Sequence, residues 1–138
     1  MATINMQTMR YINLLDRASN VKTNKCFVYN NTIFFAVPKE LVSKAIGPAA
    51  LNVKRIQENL GKKIRIIEAP EGIQDVMKFV KEIVMPIKFK SLEIKEREII
   101  ITAGNNQNKA ILIGRNKRRI DELQNIVRDI FGMELKIL

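Results

Sequence analysis

Residues 112–123 read Leu112-Ile113-Gly114-Arg115-Asn116-Lys117-Arg118-Arg119-Ile120-Asp121-Glu122-Leu123. Residues 45–56 read Ala45-Ile46-Gly47-Pro48-Ala49-Ala50-Leu51-Asn52-Val53-Lys54-Arg55-Ile56. Gly47 matches Gly114, Val53 matches Ile120 and Ile56 matches Leu123, each at an offset of 67 residues. Both copies run on to a glycine, Gly61 or Gly132, now 71 apart. The second helix is therefore four residues longer, close to one turn, so its apolar face is preserved. An alternating strand follows each glycine, with Ile64 and Ile66 in one and Leu135 and Ile137 in the other. Repetition on this scale outranks local signals in choosing a fold. It implies two copies of one small module, each with a glycine turn opening a helix.

Working outward, the same elements precede each turn. Thr8 precedes Tyr11, Ile12, Leu15 and Ala18, whose helical spacing closes near Asn20. Cys26–Tyr29 and Thr32–Val37 are rich in aromatic and β-branched residues and read as strands, with Asn30-Asn31 suited to a tight hairpin. Pro38 opens a short helix through Leu41, Val42, Ala45 and Ile46. Ala69-Pro70-Glu71-Gly72 marks a boundary between residues 1–70 and 71–138. It is too short for a loose tether, which predicts two modules in a nearly fixed orientation. In the second half, a helix over Ile73–Val84 stops at Pro86. Ile87–Lys95 and Glu98–Ala103 pair as a hairpin, with a bulge or a late start near Ser91-Leu92. Gly104-Asn105-Asn106 reads as a turn. The expected fold is α+β, with element order α-β-β-α-α-β in each half and helices on one face of a three-stranded sheet.

The charge is lopsided, with 24 Lys+Arg against 14 Asp+Glu, or +10. Residues 1–70 hold 11 cationic and 4 anionic side chains, and residues 71–138 hold 13 and 10. A polyanion is the expected partner. The lone Cys26 allows no internal disulfide and fits a reducing, cytoplasmic home. With no His and one Cys, the usual zinc sites are excluded. The start lacks a secretion signal pattern, and no apolar run reaches the ~20 residues of a membrane span. No His is present for acid–base work and no P-loop pattern occurs, so an enzyme and a bound cofactor are not expected.

A short helix, a glycine turn with two intervening residues, a basic helix and a strand together resemble the KH module of RNA-binding proteins. The leading helix and closing strand resemble its prokaryotic type II form. Two such modules on a short linker resemble the tandem KH region of the NusA-like transcription factors. The resemblance rests on Arg10-Tyr11-Ile12, Ala45-Ile46-Gly47, Asn52-Val53-Lys54-Arg55 and Leu60-Gly61-Lys62-Lys63. It implies a protein that binds single-stranded RNA in transcription elongation, termination or antitermination, and that meets RNA polymerase. Both loops depart from the G-x-x-G pattern, since Ala50 and Lys117 replace its second glycine.

In such a loop the backbone clamps a short run of phosphates, and the helix that it opens favours an anion. Gly114, Arg115, Asn116 and Lys117, with Arg118 and Arg119 at the rim, form the stronger candidate site. The bare Gly114 is expected to let a phosphate approach the main chain. Gly47, Pro48, Ala49 and Ala50, with Lys44, Lys54 and Arg55 nearby, form the weaker one. Ile111 and Ile113, with Ile100 or Thr102 on the adjacent strand, are candidates for an apolar groove floor. Two other readings stay open. Helix, glycine turn and basic helix also suit a helix-turn-helix binder of duplex DNA. The altered loops also suit a protein-interaction module that docks on polymerase or ribosome.

Overall fold

The computed structural model describes residues 5–138. Residues 1–4, part of the start that lacks a signal pattern, lie outside that description. The chain divides into two compact units between Pro70 and Glu71. The described architecture is α+β, with six α-helices and two three-stranded sheets.

The first unit opens with α1 (Met6–Ser19). Asn5 caps it in a reciprocal box: the Thr8 amide donates to Asn5 Oδ1 at 2.8 Å, and the Asn5 amide donates to Thr8 Oγ1 at 3.0 Å. The helix thus starts two residues before Thr8. It ends where Asn20 turns left-handed at φ 60°. Strands β1 (Lys25–Tyr29) and β2 (Thr32–Val37) form an antiparallel hairpin. Its two loop residues, Asn30 and Asn31, have φ of 51° and 60°, as the expected tight turn requires. A 3₁₀ turn, α2 (Val42–Ile46) and α3 (Leu51–Leu60) carry the chain back to β3 (Lys63–Glu68), parallel to β2.

Side chains alternate between the two faces of the sheet, although Ile33 to Val37 of the central strand are all buried. Ile33, Phe35, Val37 and Ile64 meet Tyr11 and Leu15 of α1, Ala45 of α2 and Ile56 of α3 in one core. All three helices therefore lie on one face. On the other face, a single register row brings Phe27, Phe34 and Arg65 together. Phe27 stacks on Phe34 at 5.3 Å, and the Arg65 guanidinium lies 5.3 Å from the Phe34 ring centre.

The second unit repeats the path. A 3₁₀ turn over Ile73–Asp75 leads into α4 (Val76–Val84). Strands β4 (Ser91–Lys95) and β5 (Glu98–Thr102) pair antiparallel, and the hairpin begins late, at Ser91. The stretch expected to turn at Asn106 already begins α5 (Asn106–Ile113), because Asn105 Oδ1 accepts the Asn108 amide at 2.7 Å. Then come α6 (Arg118–Phe131) and β6 (Glu134–Ile137), parallel to β5. Helix α6 exceeds α3 by the four residues that the two glycine offsets imply. Ile99, Ile101, Leu123, Val127 and Leu112 are fully or nearly fully buried. Phe79 of α4 meets Phe131 of α6 edge-on at 5.7 Å.

One pair of repeated residues ties each long helix to its closing strand. Gln57 Oε1 accepts the Ile64 amide at 3.1 Å, and Gln124 Oε1 accepts the Leu135 amide at 2.8 Å. The two glutamines stand 67 apart, in the same register as the glycines. Extending the repeat by one position beyond Ile56 and Leu123 finds them.

Cys26 packs against the first core, and burial pushes its thiol up to about 12. The unfolded thiol ionises near 9.0 while the folded one does not. Its contribution to stability is thus complete below pH 9 and is lost as the pH rises toward 12. A thiol-specific disulfide reagent at pH 8 should label the native chain at least about a hundredfold more slowly than the urea-unfolded chain. Equal rates would show an accessible thiolate.

Candidate nucleic-acid interface

Each glycine turn joins two helices through one unusual backbone path. Gly47 sits at φ 81°, ψ 165° and Gly114 at φ 79°, ψ 169°. That region is open almost only to glycine. Two left-handed residues follow in each copy: Ala49 and Ala50 at φ 53° and 58°, and Asn116 and Lys117 at φ 56° and 60°. The same turn bonds close both. The Ala50 amide donates to the Gly47 carbonyl at 3.0 Å, and the Lys117 amide donates to the Gly114 carbonyl at 3.2 Å. The two loops therefore share one backbone conformation, although only the first glycine is common to them.

The departure from G-x-x-G at the second glycine therefore leaves the backbone path of the loop in place. Ala50 and Lys117 hold the left-handed conformation that glycine adopts most readily. Each non-glycine residue there costs roughly 1–2 kcal/mol. The rest of each module carries that strain.

The first glycine of each loop also makes room for packing within the turn. A Cβ on Gly114 would meet Arg119 Cγ at 2.6 Å and Cβ at 2.9 Å. On Gly47 it would meet Asn52 Nδ2 at 2.7 Å. The space beside each glycine is filled from within by the residue five positions on. Asn52 Nδ2 also donates to the Lys44 carbonyl at 3.1 Å, bracing the turn against the preceding helix. Arg119 is largely buried and pairs with Glu122, so it braces the second turn instead of standing free at the rim.

The exposed chemistry of the two loops is opposite. Arg115, Asn116, Lys117 and Arg118 are all exposed at the second. The first presents Pro48, Ala49 and, at the position matching Arg118, Leu51 at 44% exposure. The helices that follow invert this pattern. Lys54 and Arg55 lie exposed in α3 where α6 has Asp121 and Glu122. At these positions a cationic loop is followed by an acidic pair and a neutral loop by a basic pair, although α6 as a whole balances three cations against three anions. Helical spacing alone does not mark Leu51 as exposed, since apolar residues at that spacing usually face inward. Its register with Arg118 was the available signal.

The expected groove floor comes together only in part. Ile111 is 44% exposed and Ile113 is half-buried at the end of α5, beside the cationic turn. Ile100 and Thr102 alternate with the buried Ile99 and Ile101, so they face the other side of the sheet. Ile100 stands between Glu93 and Lys136 and takes no part in that floor.

Comparisons with known proteins bear on this architecture. No protein-family profile matches the sequence. Proteins named probable transcription termination protein NusA are similar to it. The one from Methanocaldococcus jannaschii is 26% identical, over 86% of this chain and 72% of that protein. The one from Methanococcus vannielii is 24% identical, over 95% and 76%. The one from Halococcus morrhuae is 21% identical, over 96% and 94%. The crystal structure of APE1850 covers 98% of this chain and 100% of its own at a TM-score of 0.68 and 25% identity. These similarities support a NusA-like relationship.

Gly114→Ala should lower stability by about 1–3 kcal/mol through backbone strain alone, with the Arg119 clash in addition. Ala50→Gly should raise it by roughly 1 kcal/mol, through relief of the left-handed strain. Urea denaturation followed by circular dichroism checks both, and an opposite sign in either would refute the assigned loop conformation.

Proposed function

We propose that the chain is a single-stranded RNA-binding protein of NusA type, built from two tandem KH modules of type II order. In this reading it acts in transcription elongation, termination or antitermination, in the cytoplasm and in contact with RNA polymerase. The observation that carries the proposal is the second loop. An ordered glycine turn opens a 14-residue helix and displays three exposed cations, Arg115, Lys117 and Arg118, around it. Cations at a helix N-terminus oppose the helix dipole. A phosphate held between them and the positive end of the helix dipole reverses that cost. Asn116 adds a donor, and Ile111 and Ile113 offer apolar surface to the bases. Arg119 holds the loop in shape through Glu122 and the packing against Gly114.

In the first module Lys54 and Arg55 on the side of α3, with Lys44, supply the charge that its loop lacks. Pro48 removes one amide from that loop. The second module is accordingly the main phosphate clamp. The shared backbone of the two loops favours this reading over a protein-docking module with decayed loops. The hairpin before each helix pair and the parallel strand after it favour it over a helix-turn-helix binder of duplex DNA.

Arg115→Asp combined with Lys117→Asp should weaken binding of a short single-stranded RNA at least tenfold. Fluorescence anisotropy at fixed salt measures it. The slope of log K against log salt should become shallower by roughly 0.7 per phosphate contact removed. Unchanged affinity and slope would refute the site, and preference for duplex DNA would refute the substrate class.

A further inference from the structure

Helix α1 has two stripes. Tyr11, Leu15 and Ser19 form the buried one. The other lines an open groove of about 470 Å³, formed by Met6, Met9, Arg10, Leu14 and Arg17 together with Asn59 of α3. Their spacing follows the i, i+3, i+4, i+7 rule for one helical face. Met6 is 88% exposed and Met9 53%. Among the described residues, no carboxylate lines the groove, and Asp16 of α1 and Glu58 of α3 lie outside it.

We propose that this groove seats an acidic amphipathic helix from a partner protein. Charge complementarity selects the occupant. Arg10 and Arg17 are exposed and one heptad apart, about 10.5 Å along the axis. A partner helix lying alongside, with carboxylates seven residues apart, meets both cations. Its apolar stripe covers Leu14 and the flexible thioethers of Met6 and Met9, which adapt to varied side chains. Helix-in-groove recognition works through anchors at this spacing. An RNA strand fits less well, because the described residues of the groove include no aromatic ring on which a base could stack. The surface shares no residue with the candidate RNA loops.

The test uses the full chain and a labelled 18-residue helical peptide of Ala, Leu and Glu, with a leucine stripe flanked by glutamates seven apart. Anisotropy should show saturable binding. Arg10→Glu combined with Arg17→Glu should weaken it at least tenfold, and a peptide with Lys in place of those Glu should restore binding to that variant. Met9→Asp, at an exposed position, should weaken both peptides on their matched chains. RNA affinity should be unchanged in all three comparisons. Binding that is absent at millimolar peptide, equal in the variant, or not rescued by charge exchange would overturn the proposal. A loss of RNA affinity in place of peptide affinity would make the groove part of the RNA path and overturn it as well.

Discussion

Both modules depend on a chain reversal that L-residues resist. After α2, and again after α5, the backbone passes through a region open almost only to glycine and then through two left-handed residues. The reversal lets α3 and α6 return across the sheet so that β3 and β6 can run parallel to the central strands. A parallel neighbour requires a long crossover, and here two helices supply it. Without the turn, the helix pair could not close over Ile33 and Phe35, or over Ile99 and Ile101.

The turn is also where the two modules diverge in chemistry while keeping their shape. Asn52 and Arg119 fill the space beside the two glycines with different side chains. Ala50 and Lys117 accept the same strained conformation. The backbone is therefore held by the packed helices and by turn bonds to Gly47 and Gly114. Once the path is held from within, the exposed side chains are free to vary. One loop becomes cationic and the other apolar, with the acidic pair Asp121 and Glu122 behind the first and the basic pair Lys54 and Arg55 behind the second.

Much of the architecture was legible in the residues. The doubled glycine registers located both turns and gave the difference in helix length. Asn30-Asn31 located a hairpin because asparagine tolerates positive φ. The alternation that slips at Ser91-Leu92 marked the late start of β4. Helix starts were less legible. Asn5 and Asn105 act as caps through side-chain geometry, and either could equally have belonged to a loop. The site was legible in its cations but not in their roles. Arg115, Lys117 and Arg118 stand exposed, whereas Arg119, their neighbour in sequence, turns inward to Glu122.

The amino-acid sequence by itself determined the repeat, the element order, the positions of the turns and the excess of positive charge. Periodicity and glycine placement are local properties, and they need no knowledge of what packs against what. Only the tertiary structure decided that both loops keep one backbone path without a second glycine, because the strain there is carried by the packed helices on either side and not by the loop residues' own preferences. Only it showed that Ile100 and Thr102 face away from Ile111 and Ile113, since the face of a strand is set by register with its neighbours. It also separated the cation that braces a turn from those that surround it, a distinction made by burial, to which a row of arginines in sequence is blind.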